Sequence, residues 1–279
     1  MGRLVLVATP IGNLGDLAPR AVEALAGADV IVCEDTRRTR TLLMHAGVRG
    51  PRRIVANEHT EAATAAHVAE LLAGGATVAV VTDAGTPGIS DPGERLVRAA
   101  IDGQHDVTVV PGPSAALAAL AGSGLPTDRF VMEGFLPRRG ADRRERLAEI
   151  AQEWRTTVLF EAPHRLARTL ADLAAACGHE RPVVLARELT KLHEEWWRGT
   201  LGGALAHVEV QEPRGEYVVV LGGAPTPEPP TTADVVAALE ARLTAGVDRK
   251  TAVSEVAQEL GVPKRAVYDA ALRLYPARS

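Results

Sequence analysis

Thr77-Val-Ala-Val-Val-Thr82, running directly into Asp83-Ala-Gly-Thr-Pro-Gly-Ile-Ser-Asp-Pro-Gly93, is the stretch whose reading decides the fold. An apolar run reads as a strand buried on both faces, and the Gly- and Pro-rich loop after it ends where a helical pattern, Gly93 to Asp102, begins. The same alternation extends outward in both directions. Strand runs fall at Leu4 to Ala8, Val30 to Cys33, Arg53 to Ala56 and Asp106 to Val110; helical runs fall at Ala18 to Ala26, Thr36 to Ala46, Glu61 to Ala73 and Ser114 to Ala121. Strands that are apolar throughout and separated by helices belong in a parallel sheet covered on both faces, so this half is α/β.

Three of its loops share a chemistry: Thr9-Pro-Ile-Gly-Asn13, the Asp83 to Gly93 loop, and Pro111-Gly-Pro-Ser-Ala115. They follow the first, fourth and fifth strands, and in an open parallel sheet the loops at the carboxyl ends of strands converge on the ligand crevice. Gly12, Gly85, Gly88 and Gly112 permit close backbone approach, while Pro10, Pro87, Pro111 and Pro113 stiffen the walls. No loop reads GxGxxG or GxxxxGK[ST], so dinucleotide and P-loop readings lose their warrant. The expectation is one rigid pocket for a small polar ligand.

After the breakers in Ala121-Gly-Ser-Gly-Leu-Pro-Thr-Asp128 the rhythm restarts at Phe130 to Phe135. Strands near Thr157 to Phe160, Pro182 to Arg187, Glu194 to Arg198 and Glu216 to Gly222 include consecutive strands with no helix between them, which predicts a mixed sheet. Helices fall at Asp142 to Gln152, His164 to Cys177 and Leu201 to Val210. The organisation expected is an α/β domain over 1–124, a second over 125–223, a stiff Pro-rich linker over 224–232 and a helical unit over 233–279. In that last unit Ala257, then Gly261 four residues on, separates two amphipathic helices, with Val262, Val267 and Leu272 as core. That is a helix-turn-helix pattern, which serves nucleic-acid contact or plain packing on the body.

The 279 residues are 46% hydrophobic and 24% charged, ordinary globular values, with a net charge of −4. A negative total argues against a uniform nucleic-acid coat, yet Arg37, Arg38 and Arg40, then Arg138, Arg139, Arg143, Arg144 and Arg146, form local basic clusters. The second cluster also reads as a solvated helix face paired with Glu145 and Glu149. Cys33 and Cys177 have no metal-ligand spacing and read as buried thiols; no metal is implied. The short first apolar run is a strand, not a signal peptide, and no apolar stretch approaches the ~20 residues of a membrane span, so a soluble cytoplasmic protein is expected.

Glu34 and Asp35 sit at the end of the second strand beside Arg37, where they orient one another at a crevice or cap the helix that starts there. Lys191 is one of three lysines in an arginine-biased chain, with Lys250 and Lys264, which suggests a need for its point charge. His59, His164 and His193 are scattered, and Pro163-His164 reads as a helix start.

Taken together, Val7-Ala-Thr-Pro-Ile-Gly-Asn-Leu14, Cys33-Glu-Asp-Thr-Arg37, Asp83 to Gly93, Val110-Pro-Gly-Pro-Ser-Ala115, Gly134-Phe-Leu-Pro137, Phe160-Glu-Ala-Pro-His-Arg165 and Arg187-Glu-Leu-Thr-Lys191 resemble the small-subunit ribosomal RNA methyltransferases of the tetrapyrrole-methylase family. The resemblance runs from Leu4 to about Gly222, and residues 233–279 are similar to the helix-turn-helix unit those enzymes often carry. It implies S-adenosylmethionine as cofactor, held between two α/β domains. It also implies 2′-O-methylation of a cytidine in the decoding region of 16S rRNA on the small ribosomal subunit, and a homodimer. By position Asp83, Ala84, Gly85, Ile89, Ser114 and Ala115 match the cofactor loops, with Pro10, Gly12 and Glu161 as further wall. Leu189 stands where such relatives usually have Pro. Glu34, Asp35, Asp83, Glu161 and Lys191 are the candidates for a base or an alkoxide-stabilising cation, oriented by Arg37. Arg37, Arg38, Arg40, Arg138, Arg139, Arg143, Lys264 and Arg265 would meet RNA phosphates, and Phe135 would stack on a base. Two other functions share parts of this pattern: a methyltransferase acting on a tetrapyrrole, and a ligand-responsive regulator that binds DNA through residues 232–279.

Overall fold

Alternate residues of the first-half strands face opposite layers of helices, and this sets the architecture. The computed structural model describes residues 2–56, 60–225 and 230–274; His59 lies outside them, as do residues 226–229 and 275–279. Strands β1 (Arg3–Val7), β2 (Val30–Cys33), β3 (Arg52–Val55), β4 (Thr77–Val80) and β5 (Asp106–Val110) form a sheet in the order β3-β2-β4-β1-β5. Every pairing in it is parallel. Val5, Val7, Ile31, Cys33 and Ala79 pack under Ala21 and Leu25 of α1 (Pro19–Ala26) and Leu42 and Leu43 of α2 (Thr36–His45). Leu4, Leu6, Val30, Val32 and Val78 meet Val68 and Leu72 of α3 (Glu61–Ala73) and Leu96 and Ala100 of α4 (Glu94–Asp102) on the other face. Each fully buried Leu contributes roughly 1.5–3 kcal/mol.

The second sheet joins β6 (Phe130–Phe135), β7 (Thr156–Glu161), β10 (Tyr217–Leu221), β8 (Pro182–Arg187) and β9 (Glu195–Thr200), in that order. Only β6 and β7 pair in parallel, so the sheet is mixed, as consecutive strands without helices required. Helices α6 (Ala141–Gln152), α7 (Pro163–Cys177) and α8 (Leu201–Val210) supply one covering layer, through Ile150, Leu166, Leu170, Leu173, Leu201 and Ala204. The other face is covered by α5 (Ala115–Ser123), which follows the last strand of the first sheet. Ala116, Ala119 and Leu120 pack on Val158, Val184, Ala186, Val218 and Val220. A Cβ on Gly122 would lie 2.4 Å from the Trp196 ring, so only glycine lets this helix sit so close. Both sheets belong to one compact unit, residues 1–224.

Residues 225–279 form the other unit. It holds α9 (Thr232–Thr244), α10 (Arg249–Glu259) and α11 (Lys264–Leu274) around Leu239, Ala252, Val256, Val267 and Ala271. The turn between α10 and α11 carries Gly261 at φ +63°. The sequence pattern named only α10 and α11. Helix α9 is announced by Thr231 and Asp234, whose side chains cap each other's backbone N–H groups, a signal readable in Thr-x-x-Asp. Leu272, expected in the core, is 38% exposed, because Ala270 and Ala271 take the inward positions of α11. Of the two free cysteines Cys33 is buried as expected, while Cys177 is only partly so.

One expected surface cation is internal. Arg143 is 4% exposed, and its guanidinium donates to Asp172 Oδ2 at 2.8 Å, to the Pro137 carbonyl at 2.9 Å and to Thr169 Oγ1 at 3.0 Å. An arginine so buried and so committed is not a surface contact for RNA; it pins the β6–α6 connection to α7. Arg143→Met is expected to cost about 3 kcal/mol by leaving Asp172 and that carbonyl unpaired. This corresponds to a melting-temperature drop of roughly 6–12 °C, measured by thermal unfolding. Arg146 instead pairs with Glu149 on α6 and with Glu133 of β6.

Candidate active site

Three adjacent strands, β4, β1 and β5, deliver the three Gly/Pro loops to one end of the first sheet. They are stitched together there. Thr9 N–H donates to the Gly85 carbonyl at 2.8 Å and Gly85 N–H to the Thr9 carbonyl at 3.1 Å, while Thr86 Oγ1 donates to the Pro113 carbonyl at 3.4 Å. Gly85 has φ +81°, a backbone that glycine adopts without strain. The far end of the long loop is fixed by Glu61 on α3, whose Oε1 accepts from Gly93 N–H at 2.8 Å and Arg95 N–H at 3.2 Å at the start of α4. A loop held at both ends is a preorganised wall.

Two adjoining cavities open beside these loops, of about 370 and 360 Å³, and Ile11, Ala84, Lys191 and Glu216 line both. Each is within the size range of small-molecule sites. Pro10, Gly12, Arg38 and Asp83 line the first. The second takes Gly85, Ile89, Ser114, Ala115 and Glu161, together with Asp91, Phe135, Phe160 and Tyr217. The cofactor residues expected from sequence are therefore divided: Pro10, Gly12 and Asp83 face one cavity, Gly85 to Glu161 the other, and Ala84 both. Ser114 caps α5, and Phe135, 55% exposed, lies 5.6 Å from the Phe160 ring.

Glu34 and Asp35 line neither cavity; they act from behind. Asp35 caps α2, accepting from Arg37 N–H at 2.7 Å and pairing with its guanidinium at 3.1 Å, contacts that hold its carboxyl below the usual range. The Asp35 N–H donates to Asp83 Oδ1 at 3.2 Å, and Arg38 Nε lies 3.4 Å from Asp83 Oδ2. Burial raises Asp83 nonetheless, and burial followed by the Asp83 charge raises Glu34. Asp91 is pushed furthest, to about 6, by burial first and then by Glu34 and Asp83. Among the described residues its carboxylate has no hydrogen bond or ion pair. Asp91 stands inside the stretch that decided the fold, yet sequence reasoning passed over it; only the convergence of three carboxylates sets it apart.

Lys191 arrives from the β8–β9 connection, where Glu188 and Thr190 adopt φ +49° and +67° around the buried Leu189. Its Nζ donates to Glu188 Oε1 at 2.7 Å and Glu216 Oε2 at 2.8 Å. Burial opposes the charge, but these two bonds outweigh it and hold the ammonium above the ordinary lysine value, so Lys191 is a fixed cation. A Cβ on Gly12 would lie 2.4 Å from Lys191 Cγ, which is why the first loop needs glycine there. Glu161 is 2% exposed and already committed to Arg165, Thr169 and the Ala162 N–H. Arg37, Arg38, Arg40, Arg138 and Arg139 are exposed, and so are Lys264 and Arg265 in the second unit.

The sequence family described as Tetrapyrrole (Corrin/Porphyrin) Methylases matches residues 3–205, which carry the whole first sheet, every strand of the second but β10, and every wall residue up to Lys191. The chain belongs to that family. The family described as RsmI C-terminal HTH domain matches residues 229–274. A relative named Ribosomal RNA small subunit methyltransferase I, from Synechocystis sp., is 45% identical over 276 residues, 98% of this chain and 99% of its own length. A Thermotoga maritima relative of the same name is 45% identical over 223 residues, 99% of its length but 80% of this chain, a shortfall as long as the second unit. In fold, the chain resembles a uroporphyrin-III C-methyl transferase from Thermus thermophilus complexed with S-adenyl homocysteine. The TM-score is 0.56 at 19% identity, covering 80% of this chain and 97% of that one.

Proposed function

We propose that this member of the tetrapyrrole methylases transfers a methyl group from S-adenosylmethionine to the ribose 2′-oxygen of a cytidine in the decoding region of 16S rRNA, acting on the small ribosomal subunit in the cytoplasm. The observation that carries the reading is the likeness over nearly the whole chain to relatives named for that RNA. The cavity lined by Gly85, Ser114, Ala115 and Asp91 fits the cofactor. Ile11, Ala186, Leu189 and Val218 offer apolar wall to a purine, and the backbone at Gly85 is open to close approach. When bound, S-adenosylmethionine supplies the methyl electrophile on its sulfonium.

The chain's own residues then have two tasks. The first is positioning: the stitched loops and the Lys191 bridge between Glu188 and Glu216 fix the cavity walls, so the ribose oxygen is aligned at little entropic cost. The second is proton transfer. The hydroxyl loses its proton as the carbon–oxygen bond forms, and Asp91, unpaired and raised to about 6, accepts it. Asp83 and Glu34 keep that carboxylate basic, while Asp35 and Arg38 hold Asp83 in place. The nucleotide lies across the wall that the two cavities share, at Ile11, Ala84, Lys191 and Glu216, so that its ribose reaches the cavity holding Asp91. The second unit, matched by the family described as RsmI C-terminal HTH domain, adds RNA affinity rather than chemistry.

Incubation with labelled S-adenosylmethionine tests this. Label is expected in small subunits from cells lacking this gene, and none in a tetrapyrrole acceptor. Label in the tetrapyrrole and none in RNA would reverse the assignment.

A further inference from the structure

A third cavity, of about 300 Å³, is lined by Arg138, Arg143, His164, Arg165, Arg168 and Thr169. We propose that it seats one backbone phosphate of the RNA substrate, an inference that rests on the rRNA reading above. Charge is the first ground. Four guanidinium groups line the space, and the carboxylates paired with them are Asp172 and Glu161 alone. Arg143 and Arg165 are committed: the first to Asp172 and the Pro137 carbonyl, the second to Glu161 at 3.1 Å and the Leu136 carbonyl at 2.7 Å. They build the wall.

Arg138 and Arg168 are the working pair. Arg138 has no hydrogen bond or ion pair among the described residues. Arg168 Nε stands 3.9 Å from an Asp172 oxygen that Arg143 already holds at 2.8 Å. Two positive charges thus remain uncompensated around a concave space, with the exposed His164 beside them. Guanidinium forks match the oxygens of a phosphate in a bidentate manner, which suits this lining to a phosphodiester better than to a carboxylate or a neutral group.

Position is the second ground. Phe135 and Pro163 line the cavity that holds Asp91; three residues beyond Phe135 stands Arg138, and directly after Pro163 stands His164. The end of β6 with the loop after it, and the first turn of α7, therefore each contribute residues to both cavities. In RNA the carbon next to C2′ bears a phosphate, so a nucleotide whose 2′-oxygen reaches Asp91 carries that phosphate to an adjoining site. The Arg138–Arg168 pocket is the basic site that these same two chain segments reach, and among the described residues no cation other than Lys191 lines the Asp91 cavity itself.

The test is binding of the full-length protein to small subunits across a salt series. In R138Q/R168Q, both changes being at exposed positions, affinity is expected to fall about tenfold and the slope of log affinity against log salt to become shallower by about 1, the loss of one phosphate contact. Calorimetric affinity for S-adenosylmethionine should stay at the wild-type value. R98Q, an exposed arginine on α4, should keep the wild-type slope. A wild-type slope in R138Q/R168Q, or an equal loss in R98Q, would overturn the proposal. So would tight binding of inorganic phosphate that disappears in R138Q/R168Q while subunit binding does not, since the site would then serve a free anion. Subunit binding by the unmodified protein tests the rRNA reading separately.

Discussion

Asp91→Asn is expected to lower the single-turnover rate of methyl transfer by about 100-fold or more, with calorimetric affinity for S-adenosylmethionine kept within about threefold, less than 0.7 kcal/mol. The amide is nearly the same shape and cannot accept the proton. The pH profile gives the sharper readout. Asp91 titrates at about 6, so the wild-type rate should climb as pH rises through about 6 and level off above it, and that limb should vanish in the variant. Stability should move the opposite way. The folded state binds this proton more tightly than the unfolded chain, so ionising Asp91 costs stability as pH rises from about 4, the ordinary aspartate value, through about 6, and the cost persists at neutral pH. Asp91→Asn should therefore melt higher than wild type at pH 7, while at pH 4 the two should converge. An unchanged rate would remove Asp91 from proton transfer.

Lys191→Met is the second large effect. The ammonium holds Glu188 and Glu216 together at the wall common to both main cavities. Burial is the largest single influence on Glu188 and would raise it; the Lys191 hydrogen bond, the Glu216 N–H and the charges of Lys191 and Arg187 together outweigh it and keep that carboxylate below its usual range. Without the cation two carboxylates face each other beside the nucleotide, and the left-handed backbone at Glu188 and Thr190 loses its anchor. Methyl transfer is expected to fall about 100-fold, and the affinity for small subunits to weaken with it. Lys191→Arg should restore most of the binding, because it keeps the charge, but less of the rate, because a planar fork cannot reproduce both bonds from one nitrogen. Steady-state kinetics with labelled cofactor would measure both, and full activity in Lys191→Met would show the bridge to be dispensable.

Much of this site is legible in the chain, for physical reasons that differ from residue to residue. The parallel sheet and its three loops follow from apolar runs ending in Gly and Pro, because local periodicity fixes the strands and strand order then makes the loops after β1, β4 and β5 neighbours. The mixed second sheet was readable from strands that follow one another without a helix. Long-range contacts were not. Arg143 lies in an arginine-rich helix that looks solvated, and only the approach of Asp172 and Thr169 from α7 shows it to be internal. Pro10 and Gly12 sit in a loop that looks like cofactor wall, yet they line the cavity without Asp91, and Gly12 packs against Lys191, 179 positions further on. Asp91 owes its character to Glu34 and Asp83, which no local spacing connects to it. In the Glu34 to Arg37 stretch the capping reading is the one the geometry shows: the Asp35 side chain caps α2, while its backbone N–H reaches Asp83.

The measurement closest to the central claim is nucleoside mass spectrometry of small-subunit RNA after reaction with labelled S-adenosylmethionine, with the modified position mapped. A ribose 2′-O-methyl group protects the adjoining phosphodiester from alkali, so it is distinguished from a methyl group on the base. The account predicts label on the ribose of one cytidine in the decoding region, absent when Asp91→Asn replaces the wild-type protein. Label on a base nitrogen or carbon, or label independent of Asp91, would contradict it.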